Sequence, residues 1–278
     1  MPFALMIIVF GLPFTHATMR LMKHIFATLL LALATIVAAS AQTATAPPTH
    51  QETSVSVPFV GCPSYGQIER LEPPKGTSRT MRISSANAKA LAYYRSADGI
   101  GVLAPRGWYC EGASGSGGYA LFLGPKQIQH GGSGWQGLDG PAIEVNHMTS
   151  ENSGRYEIAE VMARVFPAYR VFARRLMKGM DIPLPTDSYP KDTLARRGEK
   201  IVEYNTPAQT EGLGNFHSWI GKSDLPISGV AIIIDDSATT GGGPDLVLLS
   251  VRLPHALTGL TPVIVGQLER DTSSAGRR

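Results

Sequence analysis

Cysteine is scarce: only Cys62 and Cys110 occur in 278 residues. That count excludes a cysteine-rich zinc module or a disulfide-framework miniprotein, and the two lie too far apart in sequence for a local zinc pair. Charge of one sign is also lacking. The 25 basic and 22 acidic side chains leave a formal charge of +3, which gives no electrostatic reason to expect nucleic acid as a partner. No two histidines among His50, His130, His147, His217 and His255 have the His-x-x-x-His spacing of a helical zinc site. Gly221-Lys222-Ser223 lacks the upstream glycine of a phosphate-binding loop, because Phe216 stands there. Ser114 and Ser133 miss the Gly-x-Ser-x-Gly pattern of a serine hydrolase, since Ser116 and Trp135 occupy the final position. No internal repeat is present, and no motif calls for a cofactor.

Long apolar runs are confined to the N-terminus. From Met19 the chain reads Met-Arg-Leu-Met-Lys-His, then an apolar stretch from Ile25 to Val37, then Ala39-Ser40-Ala41 before Gln42. Basic start, short apolar core and small-residue site in that order make residues 1–41 a signal peptide cleaved between Ala41 and Gln42. The core is too short to span a bilayer comfortably, so no membrane span is expected after cleavage. An earlier apolar run, Phe3 to Phe14, precedes Arg20 and Lys23, which places the translation start at Met19 or Met22. The mature chain is expected to be soluble and periplasmic or secreted. In that oxidising compartment Cys62 and Cys110 are expected to form one disulfide.

Residues 42–54 are rich in Thr, Ala, Pro and Gln and read as a flexible leader. The remainder reads as one α+β domain over 55–270, with the Pro-rich 180–190 segment as its one candidate subdivision and 271–278 as a disordered tail. Mostly antiparallel strands are expected, with about three helices packed on them. Strand patterns cover Ser54–Val57, Thr80–Ile83, Gly101–Leu103, Trp108–Cys110, Tyr119–Leu123, Ala142–Met148, Ile201–Asn205, Gly229–Asp235 and Leu246–Leu253. Helical spacing covers Ser84–Arg95, Ser153–Phe166 with a continuation past Pro167, and a short helix from Pro262. In Ala142–Met148, alternation sets Ile143, Val145 and His147 against Glu144 and Asn146.

The segment Glu211–Ser223 is the least easily explained as scaffold. Glu211, His217 and Ser218, with Trp219, Gly212 and Gly214, assemble an acid, a base and a hydroxyl on a short loop, the ingredients of a hydrolytic site. Trp135, in a glycine-rich setting, is a candidate for stacking on a sugar or aromatic ligand. Asp235, Asp236 and Asp245 flank a turn but lack the ordered pattern of a calcium loop, so no metal is assigned. Arg170, Arg174 and Lys178 recur every fourth residue and make a basic helix face suited to weak contact with an anionic surface.

Ala104-Pro105-Arg106-Gly107-Trp108-Tyr109-Cys110, with Val251-Arg252-Leu253-Pro254, resembles a family of exported bacterial hypothetical proteins over about Val57 to Glu269. The resemblance implies export and carries no function. Pro105-Arg106-Gly107-Trp108 is also similar to a strand-turn of small exported α/β proteins related to a photosystem extrinsic subunit, from which no site is carried over. The leading expectation is a binding or structural protein of the envelope; the alternative is a hydrolase of envelope or extracellular material working through the Glu211–Ser223 loop.

Overall fold

The computed structural model describes residues 52–97, 99–128, 130–131, 134–135, 138–179, 181–185, 187–216, 218–234 and 243–275. The first half holds β1 (Thr53–Gly61), β2 (Ser64–Tyr65), β3 (Arg70–Leu71), β4 (Ser78–Ile83), α1 (Ser85–Ala90), β5 (Leu91–Arg95), β6 (Val102–Pro105), β7 (Tyr109–Gly115) and β8 (Gly118–Gly124). Then come β9 (His130–Gly131), β10 (Gly134–Trp135), β11 (Ala142–Met148), α2 (Gly154–Val165) and α3 (Arg170–Lys178). The last third holds β12 (Thr193–Arg197), β13 (Ile201–Thr206), β14 (Ile227–Ile234), β15 (Asp245–Arg252) and α4 (Thr261–Ala275). This is the expected α+β class.

Nine strands form one sheet in the order β12-β13-β14-β15-β11-β8-β7-β2-β3, and four form a second in the order β4-β1-β5-β6. All their pairings are antiparallel except β1 with β5 and β2 with β7. Residues alternate between the two faces of the large sheet. Leu121, Leu123, Ile143, Val145, Val247 and Leu249 pack on one side against the small sheet and against Ile264 and Leu268 of α4. Ala142, Met148, Ala231, Ile233, Leu246 and Leu248 pack on the other against Ile158, Met162 and Val165 of α2 and Ala173 and Met177 of α3. The large sheet is therefore the middle of three layers, which explains why Val230 to Ile233 is apolar without a break.

The helix expected over Ser84–Arg95 stops at Ala90. Ser84 caps it as its sequence suggests, accepting from the Asn87 backbone N–H at 3.2 Å. Leu91 to Tyr94 is instead a strand buried on both faces, between β1 and β6. Its apolar spacing fits a helix face equally well, and packing decides. Arg106 marks the switch: its backbone N–H bonds Ala90 O at 2.9 Å, and its guanidinium bonds Leu91 O at 3.0 Å and Ala88 O at 2.5 Å. Tyr94 donates to Pro105 O at 2.8 Å and accepts from the Trp108 N–H at 3.2 Å. Much of the Ala104–Cys110 motif is thus occupied in building the fold.

Cys62 and Cys110 are joined in a disulfide with Cα atoms 5.4 Å apart, as expected. It ties the end of β1, and so the small sheet, to β7 of the large one. The C-terminal helix is longer than expected: residues 271–275, read as the start of a tail, continue α4. Asp271 accepts from Arg79 at 3.0 Å, and Thr272 is buried and donates to Leu268 O at 2.9 Å. Among the described residues no helix is long and apolar enough to cross a membrane. The cleavage site at Ala41 and Gln42 lies outside the described residues.

Candidate functional site

Glu211 and Ser218 of the Glu211–Ser223 loop are not gathered into one site. Glu211 is exposed and accepts from Lys222 Nζ at 2.8 Å, which holds its carboxyl below the usual carboxylate range. Ser218 donates to Glu144, not Glu211, and the two loop residues line different clefts. His217 lies outside the described residues, as do Asp235, Asp236 and the side chain of Trp135.

The centre of the loop's attachment is Glu144 on β11. It faces the helix side of the sheet and is 1% exposed. Its Oε2 accepts the Ser218 hydroxyl at 2.6 Å and the Trp219 backbone N–H at 2.9 Å, and its Oε1 accepts Asn146 Nδ2 at 2.7 Å. The Ser218 hydroxyl in turn accepts the Ile220 N–H at 3.0 Å. Burial pushes the Glu144 carboxyl up to about 7, outweighing the hydrogen bonds from Ser218, Asn146 and the loop backbone that favour the charged form.

That shift has a stability consequence of defined sign. Between the ordinary value of 4.5 and about 7 the folded chain holds a proton that the unfolded chain has released. Stability due to this group therefore falls as pH rises through that window and levels off above it, by about 3 kcal/mol in all at 1.36 kcal/mol per unit. Denaturation of wild type and Glu144→Gln from pH 4 to 8 checks this. The difference in stability between them should shift toward the variant as pH rises, and a pH-independent difference would contradict it.

Arg252 on β15 is the second anchor. Registry places Ala142 opposite Arg252 and Glu144 opposite Ser250, so Glu144 and Arg252 are diagonal neighbours on one face. Arg252 is fully buried, and its guanidinium donates to the carbonyls of Leu138, Gly140 and Gly221. Burial pulls its affinity for a proton down, partly offset by Asp139. Leu138 N–H donates to Trp219 O at 2.7 Å, and Leu138 bridges Ile220 in parallel. Arg252 thus joins segment 138–140 to Gly221, while Glu144 fixes Ser218 and Trp219 of the same loop to β11. A charged residue inside an otherwise apolar strand, as in Ala-Ile-Glu-Val and Leu-Ser-Val-Arg-Leu, is the sequence signal that could have found both.

What these anchors present is Trp219, 40% exposed and edge-on to Phe122 with ring centres 6.3 Å apart. Beside it opens a cleft of about 560 Å³. Ala113, Gly115, Gly117 and Ala120 from the β7–β8 hairpin line it, together with Phe122, Asn146, Glu157, Ser218 and Trp219. The hairpin turns at Gly118, whose φ of 132° and a backbone carbonyl 2.0 Å from any added Cβ admit only glycine. Small side chains along β7 and β8 leave the sheet open here, and Glu157 has no hydrogen-bond or ion-pair partner among the described residues.

On the opposite face His147 bridges Asp245 Oδ2, at 3.3 Å, and the Tyr119 hydroxyl. Asp245 also accepts the Ser150 N–H at 2.8 Å, so this chain fastens β8, β11 and β15 to the turn before α2. His147 and Glu144 lie on opposite faces, as alternation requires. Among the described residues no group of three or more His, Cys, Asp or Glu side chains is placed to hold a metal.

Compared with family models, with curated proteins and with solved structures, the chain matches none.

Proposed function

We propose that this is an exported binding protein of the bacterial envelope, without catalysis of its own, and that its ligand sits against Trp219 in the cleft over the β7–β8 hairpin. The observation that carries the reading is the cost of presenting that indole. A buried carboxylate and a buried guanidinium, both expensive to desolvate, hold the backbone on either side of a large aromatic ring that is left partly in solvent. A ring preorganised at the rim of a cleft offers an apolar face at little entropic cost.

The lining suits a polyhydroxylated ring, such as an amino sugar of an envelope glycan. The indole can stack on its CH face, and Glu157 can accept hydrogen bonds from its hydroxyl or amide groups. Export is supported by the leader, by the Cys62–Cys110 disulfide and by the likeness of the Ala104–Cys110 segment to exported proteins. The hydrolase alternative draws on the contact between Ser218 and Glu144, but both groups are engaged in holding the loop, and Glu211 is paired elsewhere.

Calorimetric titration with soluble glycan fragments tests the proposal. Wild type should bind at least one amino-sugar fragment, and Trp219→Ala should bind it about tenfold or more weakly, the loss expected of a buried aromatic anchor. Equal affinity in the variant, or no binding to any fragment by the wild type, would overturn it.

A further inference from the structure

Helix α3, far along the chain from the cleft residues of β7 and β8, carries a second feature that the cleft does not use. Its inner face is buried through Ala173 and Met177. Its outer face is a stripe at positions i, i+3, i+4 and i+7, namely Val171, Arg174, Arg175 and Lys178, which a helix brings onto one side. All four are exposed, Val171 by 66%. The helix contains no acid, and none of the three cations has a side-chain ion pair or hydrogen bond among the described residues. The first acid after the helix is the exposed Asp181. Immediately beyond it is Ile182, 39% exposed, whose N–H bonds Met177 O at 3.0 Å and folds the chain back against the helix end.

The stripe differs from the one read from spacing alone. Arg170 is half-buried and donates to Pro185 O at 3.3 Å, so it leaves the basic face and Arg175 takes its place beside Arg174 and Lys178.

We infer that this stripe docks the protein on an anionic phospholipid surface. Three exposed cations without an ion pair among the described residues supply the charge complementarity. The exposed Val171 and Ile182 select the occupant: apolar side chains beside basic ones gain free energy at the boundary between headgroups and acyl chains, and gain nothing against a soluble polyanion. Contact of this size is reversible and salt-sensitive.

Co-sedimentation of the full chain with vesicles tests this, using phosphatidylcholine alone and phosphatidylcholine containing about one third phosphatidylglycerol. Wild type should partition onto the anionic vesicles at about 0.05 M salt and come off at about 0.5 M. Reversal of the stripe in Arg174→Glu/Arg175→Glu/Lys178→Glu should weaken partitioning by more than about a hundredfold, since loss of three cations near such a surface alone gives that much and the added carboxylates are repelled. Val171→Asp, with the cations intact, should weaken it severalfold, while Lys89→Glu on α1 should leave it unchanged. Equal partitioning of the triple variant and wild type would overturn the inference. So would binding to soluble polyphosphate that Val171→Asp leaves intact while no form of the protein binds vesicles, an outcome that would make the stripe a polyanion site. These readouts are independent of the Trp219 cleft, whose titration can fail or succeed separately.

Discussion

Removing the Cys62–Cys110 bond should lower the unfolding free energy by about 4 kcal/mol, since it closes a loop of 48 residues and the chain-entropy cost grows slowly with that length. The loss should be structural as well as thermodynamic. β2 and β3 are strands of two residues each, attached to the large sheet at β7, and the bond stands beside them at the end of β1. Freed of it, this corner is held to the large sheet by the Gly112 N–H bond to Pro63 O at 2.8 Å and the two-residue pairing of β2 with β7, so amide exchange should rise first in residues 62–71. Urea denaturation of oxidised protein against Cys62→Ala/Cys110→Ala measures the first effect, and exchange under native conditions measures the second. Matching midpoints in urea would contradict the account.

Arg252→Met should be comparably damaging, at about 3–5 kcal/mol, although methionine fills a similar volume. The penalty comes from what is left behind: the carbonyls of Leu138, Gly140 and Gly221 lose the donor that a fully buried side chain supplies. Arg252→Lys should recover little, because one ammonium cannot meet three carbonyls in the planar fork that a guanidinium spans. Since Glu144 holds Ser218 and Trp219 and Arg252 holds Gly221 of the same loop, Glu144→Gln and Arg252→Met should couple by about 0.5–3 kcal/mol in a double-mutant cycle. Strict additivity, measured by chemical denaturation of the two single variants and the double, would mean that the two charges serve separate loops.

Much of the architecture is legible in the residues because its strands and long helices are written in period. Ile201–Thr206, Ile227–Ile234 and Asp245–Arg252 alternate or run apolar as interior strands must, and Gly154–Val165 carries Ile158, Val161, Met162 and Val165 at helical spacing. Leu91–Arg95 is not legible in this way. Its burial on both faces depends on β1 and β6 arriving from elsewhere in the chain, and no local pattern records that. β12, mostly exposed at the sheet edge, shows no apolar alternation at all.

The site divides similarly. That residues 211–223 gather acid, hydroxyl, indole and glycine in one loop could be read from the sequence. Which acid meets Ser218 could not, because Glu144 lies 74 positions away and is brought in by the pairing of β11. A loop composition names ingredients, and only the sheet register says which of them touch. Arg170 makes the same point on α3, where four-residue spacing placed it in the basic face and the returning chain at Pro185 removed it.

The claim that Trp219 is a built ligand seat is tested most directly by the indole N–H resonances of the three tryptophans, Trp108, Trp135 and Trp219. Trp219→Phe assigns the relevant signal. On titration with amino-sugar fragments of envelope glycan, that resonance should shift progressively and saturate while the signal of Trp108, packed beside the disulfide core, stays in place. A saturating shift at Trp108 or Trp135 with Trp219 unmoved, or no shift at any of the three across the fragments, would contradict the account.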